Sequence, residues 1–261
     1  KVEFNSSNTI LITEKSDNAI NNFSNKIKTP IIKHKKYIGG RYSVLSEVGM
    51  IPAHLMGFKA NNFRRHLLDY FKNKKKKFLI DSVSKMSDLY LSKKISSIIF
   101  VNYSPQLVHF VYWCQQLIAE SLGKNGKGLF PAVSIGPKDH HSLLQLYLDG
   151  PKDKMFYILS SKSLYNFKVG KKYIGKRFKF LQNKKLNKII SSQKDSFKTT
   201  LKKRNIPFRE FYVNNFSEET IGELFSYFIL ETTMIGKLIK VNPFNQPSVE
   251  EVKILTKKYL S

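Results

Sequence analysis

Between residues 78 and 234 the chain alternates short apolar runs with longer helix-period segments, and this alternation constrains the fold more than any other feature. The apolar runs are 95–103, built on Ile98-Ile99-Phe100-Val101, then 129–135, 155–160 and 207–213. Each has the length of one strand and is too short for a helix. Helical patterns fill the intervals. One covers 78–94. A second starts at Pro105, whose missing N–H costs nothing in a first turn, and stops at Gly123. A third covers 140–148, and a fourth is capped by Ser217, with Glu218 and Glu219 in its first turn, and reaches about Met234. Strand and helix in turn predict an α/β fold with a largely parallel sheet. Residues 167–201 are lysine-rich and show no clear period.

The front of the chain is more broken. A strand is expected at 9–13, a helix at 19–27 and a second strand at 30–32, after which Gly39-Gly40-Arg41 interrupts. Apolar residues at 44, 45, 48, 51, 55 and 58 have a helical period, with Pro52 expected to kink or break that helix. Residues 61–77 have helix-period Phe63, Leu67 and Phe71 and end in four consecutive lysines, where a domain boundary is placed.

Composition removes several classes. At 261 residues and 41% apolar, the chain can bury a core without staples, and one cysteine, Cys114, cannot form an internal bridge. No run of 18 apolar residues occurs, since the best stretch, 44–58, is interrupted by Glu47 and His54; a membrane span is therefore not expected. A net charge of +26 would ordinarily put nucleic acid first among partners. That inference weakens by residue type: Lys outnumbers Arg 39 to 6, and Asn reaches 19. Phosphate and base recognition lean on the bidentate arginine fork, so lysine-rich coding of solvated positions explains the charge better.

Open parallel sheets bind ligands beyond the carboxyl ends of their strands, and four segments stand out on that criterion or by composition. Gly39-Gly40-Arg41 lets backbone approach a ligand beside a guanidinium, although a glycine pair before arginine is ordinarily a turn with a surface charge. Glu120 lies near the C-terminal end of a helix and at the edge of its apolar face. The helix dipole and partial burial there both disfavour the carboxylate and raise its basicity, which suits a general base. His141 opens a helix after Gly136-Pro137-Lys138-Asp139. It has His140 beside it but no partner at metal-ligand spacing, which argues for an acid/base or capping role over a metal. The fourth segment runs from Asn245-Gln246 to Lys253, within a lysine-rich end where a solvated side chain is the default. Signatures for dinucleotides and nucleoside triphosphates are absent. Cys114, on an apolar helix face, is expected to be core packing.

Taken together and in this order, these segments resemble glucose-6-phosphate isomerase (phosphoglucose isomerase) in its bacterial form. The matching motifs are Ile38-Gly39-Gly40-Arg41-Tyr42-Ser43, Ala119-Glu120-Ser121-Leu122-Gly123-Lys124, His141-Ser142-Leu143-Leu144-Gln145, and Asn242-Pro243-Phe244-Asn245-Gln246-Pro247 running on to Lys253. The resemblance implies a fold of sugar-isomerase (SIS) domains: a parallel sheet flanked by helices in three layers, preceded by the incomplete tail of a first SIS domain. Residues 1–76 would be that tail with connecting helices, 77–235 the second SIS domain, and 236–261 a C-terminal arm helix. It implies interconversion of glucose 6-phosphate and fructose 6-phosphate through a cis-enediol intermediate, in glycolysis and gluconeogenesis, in the cytoplasm and with no cofactor or metal.

By the same resemblance Glu120 is the base and Arg41 stabilises the enediolate. His141 assists ring opening with Lys253, while Gly40 and Gln246 contact the sugar phosphate substrate. A homodimer is implied, with His141 contributed across the interface, and neither nucleic acid nor membrane as partner. His140 departs from the family's usual glutamine, Lys36 from a small or acidic residue and Ser248 from a small one. The family's serine/threonine phosphate loop is expected upstream of Lys1, so the chain reads as the C-terminal part of a longer protein. Ser160-Ser161-Lys162-Ser163 superficially resembles that loop but falls in the second domain and is read as coincidence. The rival readings are a non-catalytic SIS-type sugar-phosphate binding protein and a basic nucleic-acid binder, whose affinity would fall steeply with salt.

Overall fold

A computed structural model describes residues 3–162, 167–170 and 174–261. The chain divides into two compact units, 1–77 with 217–230, and 78–216 with 231–261. Residues 217–230, which the resemblance assigns to the second domain, thus cluster with the first unit, and the C-terminal residues with the second.

In the first unit, β1 (Leu11–Glu14) and β2 (Ile31–His34) pair in parallel with Leu11 opposite Ile31. The crossover is α1 (Ala19–Ile27), capped by the Asn18 side chain, which accepts from the Asn21 N–H. A 3-10 helix, Gly40–Leu45, leads to α2 (Glu47–Leu55), where the Ser46 hydroxyl accepts from the Val48 N–H. The expected break at Pro52 does not occur, and the helical run instead divides earlier, at Ser46. In a nine-residue helix the proline forfeits a single N–H bond, whereas the Ser46 cap supplies a firm N-terminus. Then come α3 (Ala60–Arg64) and a 3-10 turn, Leu67–Phe71.

Helix α4 (Asn73–Leu91) holds the lysine run in its first turn, within the first unit, and continues into the second unit from Phe78. The sheet of the second unit contains β3 (Ser97–Asn102), β4 (Phe130–Ile135), β5 (Lys154–Ser161) and β6 (Phe208–Val213), all parallel, in the order β4-β3-β5-β6. The connecting helices are α5 (Val108–Leu122), α6 (Leu144–Asp149) and α7 (Leu186–Lys203). Two further helices complete the chain: α8 (Glu218–Leu238), shared between the units, and α9 (Pro247–Leu260). The C-terminal arm thus begins with the last residues of α8 and is a separate helix only from Pro247, because α8 stops at Leu238, closed by Lys240 in the left-handed conformation.

Strands β3 and β5 are buried almost end to end, as a sheet covered on both faces requires. One face packs Ile99, Val101, Phe156 and Ile158 on Tyr147 of α6 and Phe197 and Leu201 of α7. On the other, the Phe100 and Tyr157 rings meet edge to face at 5.2 Å, and the Arg209 guanidinium lies 3.8 Å above the Tyr157 ring. Arg209 there donates to both oxygens of Glu231, at 2.5 and 2.6 Å, and Ser82 donates to one of them. Cys114 is fully buried, and burial, helped by Glu231, pushes its thiol pKa up. Among the described residues no helix is long and apolar enough to cross a membrane.

Candidate active site

Arg41 sits in the first unit, in the 3-10 helix that Gly40 opens. Only 3% of it is exposed, and its guanidinium lies 5.1 Å from the Tyr42 ring centre. Side chains on both flanks hold the loop. The Ser43 hydroxyl donates to the Gly40 carbonyl at 2.7 Å. His34 hydrogen-bonds the Ile38 carbonyl through Nε2 and the Glu47 carboxylate through Nδ1, both at 2.8 Å. Both partners are acceptors, so both ring nitrogens must donate, which requires the imidazolium. Burial works against that charge, yet the bonds to Glu47 and Ile38 outweigh it and hold the His34 pKa up. A Cβ on Gly39 or Gly40 would meet nothing within 4 Å, so crowding inside the chain does not demand either glycine.

The other candidates lie in the second unit. Glu120 is on the last turn of α5, half-buried, and accepts from the Gln116 amide at 2.9 Å. Lys124 closes that helix end by donating to the carbonyls of Glu120 and Ser121, at 2.6 and 2.7 Å. A Cβ on Gly123 would fall 2.7 Å from the Ala119 carbonyl, so the stop residue is tightly constrained. The closing segment comes to the same place. Gly236 of α8 fits between Pro243 and Leu122, where a Cβ would stand 3.1 and 3.3 Å from their side chains. Gln246 follows, half-buried, at the start of α9. Lys253 is exposed on α9 and pairs with Glu250 at 2.6 Å.

His141 lies past the carboxyl end of β4, exposed, at the close of the 3-10 helix Lys138–His140. The turn before it is braced by Asp139, whose carboxylate accepts from the Ile135 N–H at 2.7 Å and from the hydroxyls of Ser134 and Ser142. Its neighbour faces inward. His140 Nε2 is 2.6 Å from the Tyr103 hydroxyl, and the His140 ring packs on Phe197. Burial, then the neighbouring His141, lowers the His140 pKa, while burial raises that of Tyr103. A phenol donating to a neutral imidazole satisfies both. The two histidines therefore point apart.

Within the second unit the sheet separates the candidates. Helix α5 runs antiparallel to β3, so Glu120 lies at the edge where β4 begins and His141 at the edge where β4 ends. The six residues of β4 span roughly 20 Å at ~3.3 Å each. Glu120 and the Gln246 segment share one edge; His141 occupies the other. The sequence segments had flagged these positions, with Asp139 in the turn before His141, but the His34–Glu47 pair went unnoticed. Glu47 reaches His34 across 13 positions of sequence, and no local pattern marks such a pair.

No family model matches the sequence. It is 35% identical over 231 residues to the glucose-6-phosphate isomerase of Mycoplasmopsis synoviae, covering 83% of this chain and 52% of that protein. It is 30% identical over 227 residues to that of Methanocaldococcus jannaschii, again covering 83% of this chain, and 54% of the relative. The chain is a relative of the glucose-6-phosphate isomerases. It spans about half the length of the curated relatives it matches. Among solved structures, a hypothetical protein from Thermus thermophilus superposes with a TM-score of 0.84 at 24% identity, covering 97% of this chain and 62% of that one. A glucose-6-phosphate isomerase from Chlamydia trachomatis superposes with a TM-score of 0.76 at 16% identity, covering 98% of this chain and 53% of that one. At such identities the structural likeness establishes the fold: α/β, parallel sheets flanked by helices, shared with a glucose-6-phosphate isomerase.

Proposed function

We propose that this chain supplies the general base of an aldose–ketose isomerase acting on glucose 6-phosphate and fructose 6-phosphate. The observation that carries the reading is Glu120, a half-buried carboxylate aimed by Gln116 on a helix end that the Gln246 segment also reaches. In the open-chain aldose, Glu120 takes the C2 proton, and the electron pair moves to give a cis-enediolate. A proton passes from O2 to O1, and the same carboxyl returns its own proton at C1 as the C2 carbonyl forms, which yields the ketose and restores the base. Arg41 carries the countercharge for the enediolate oxygen, an interaction stronger in the transition state than in the substrate. His141 and Lys253 move protons at the ring oxygen and C1 hydroxyl during ring opening. Gln246 and the open backbone at Gly40 hold the sugar. The reaction is an internal oxidoreduction, C2 being oxidised as C1 is reduced, so the electron pair stays on the substrate while the proton travels by way of Glu120.

The separation across β4 bears on assembly. Glu120 and His141 of one chain lie at opposite edges of one sheet, which is incompatible with both touching one hexose. The reading therefore includes a homodimer in which each site takes His141 from the partner. In the complete protein, Glu120→Gln should lower kcat about 10²- to 10⁴-fold in a coupled assay. Wild-type turnover in that variant would remove Glu120 from its role. Mixing inactive Glu120→Gln and His141→Ala proteins tests the shared site: activity should return on subunit exchange, and would not if each chain built its own.

A further inference from the structure

The parallel sheet has one topological switch point. From β3 the chain crosses through α5 to β4 on one side, and from β5 it crosses through α7 to β6 on the other. A crevice must open between the carboxyl ends of β3 and β5, where open α/β sheets take their ligands. The structure has a cavity of about 420 Å³ there, walled by Gln106 after β3, by Ser160, Ser161 and Lys162 at the end of β5, and by Lys188 and Lys194 of α7. That volume suits a small molecule. The cavity is remote from the proposed base. Gln106 and Glu120 stand at opposite ends of the α5 segment, about 20 Å apart at 1.5 Å per residue.

The wall is organised. Asn102, 1% exposed, donates to the Ser104 carbonyl at 2.8 Å and accepts from the Ser104 N–H at 3.0 Å, which fixes the turn leaving β3. The Ser104 hydroxyl then meets Ser161 Oγ at 2.7 Å and Gln106 Oε1 at 3.1 Å, joining the ends of both strands into one hydrogen-bonded set. Lys194, with its side chain only 12% exposed, donates to Ser160 Oγ at 3.3 Å and pairs with Glu210. Glu210 is held by Lys198 as well, and Asp195 lies 3.7 and 3.8 Å from the two ammonium groups, so these two lysines and two carboxylates balance. Lys162 and Lys188 have no side-chain partner among the described residues. Hydroxyls and an amide line the strand ends, and with Lys194 balanced by its carboxylates the net positive charge of the wall comes from Lys162 and Lys188.

We propose that this crevice is a second, non-catalytic binding site, for the phosphate group of a small phosphorylated polyhydroxy compound. The phosphate oxygens would accept from Ser160, Ser161 and the lysines, and Gln106 would meet a hydroxyl. The serine–lysine run at the end of β5, unused by the isomerase reading, thereby gains a role; its Ser163 lies outside the described residues. The proposal does not rest on that reading.

The test is calorimetric titration of the chain with glucose 6-phosphate, inorganic phosphate and unphosphorylated glucose, at fixed ionic strength. Binding of the first two and not the third is expected, and Lys194→Met and Ser161→Ala should each weaken it by about tenfold or more. Lys194→Met leaves Glu210 paired with Lys198, and Ser161→Ala removes only a hydroxyl, so a fold-neutral variant remains if the other unfolds. Glu120→Gln and Lys253→Met should leave this binding unchanged. The proposal is overturned if the chain binds neither phosphate compound, if both crevice variants bind as the wild type does, or if binding is lost in Glu120→Gln or Lys253→Met.

Discussion

Replacing Glu231 by glutamine tests how the second unit is held together. The carboxylate is 2% exposed, and Arg209 grips both its oxygens beneath Tyr157 while Ser82 donates to one of them. Glutamine keeps the shape but turns an NH₂ toward the guanidinium, leaving a mostly buried cation without its counter-ion. Breaking one partner of a buried pair costs ~3–5 kcal/mol, because the remaining charge stays desolvated. For a chain of this size the urea dependence should be ~3 kcal/mol per M, so the midpoint should fall by about 1–1.7 M. Trp113, the single tryptophan, lies in the second unit and reports its unfolding by fluorescence. The double variant Arg209→Met, Glu231→Leu should recover most of the loss, since paired apolar replacement of a buried ion pair is often neutral. A midpoint shift below ~0.3 M for Glu231→Gln, far under that estimate, would refute the argument. A double variant as unstable as the single would show that packing, and not an orphaned charge, sets the cost.

Gly222→Ala should destabilise the first unit by about 3 kcal/mol or more, read as a lower urea midpoint by circular dichroism, because its Cβ would stand 1.9 Å from the Phe63 carbonyl oxygen and backbone cannot turn aside. The His34–Glu47 clasp should depend on pH in both directions. The His34 pKa is raised from 6.5, so its contribution is complete below that value and lost as pH climbs through the raised one. The Glu47 pKa is lowered from 4.5, chiefly by a bond from its own backbone N–H, so its contribution holds above 4.5 and is lost as pH falls through the lowered value. Thermal unfolding should show a stability advantage between about 4.5 and 6.5 that His34→Gln lacks, and an unchanged profile in the variant would contradict it. Cys114, buried with its thiol pKa pushed up, should resist an aromatic disulfide reagent in the native chain and react once urea unfolds it.

Much of the fold was legible where local physics is strong. Helix α1 falls where the Asn18 cap and apolar spacing put it, and the four strands of the second unit coincide with the apolar runs to within a residue or two. Helix α7 was not legible, although it spans Leu186–Lys203, because only Phe197 and Leu201 are buried and lysines occupy much of the rest. The 140–148 helix was half right: a 3-10 turn ends at His140, and α6 begins only at Leu144.

By itself the sequence determined the α/β class and the parallel sheet, since these depend on short-range period, capping and residue type, while its resemblance to a known family singled out Glu120, Arg41, His141, Gln246 and Lys253. Tertiary structure decided what those residues can reach. Only strand order places Glu120 and His141 at opposite edges of one sheet, and only chain crossing in both directions from β3 and β5 opens a crevice at Ser160 and Ser161. Strand order is set by which apolar faces pack after loops close, over separations of tens of residues, and no local pattern encodes it.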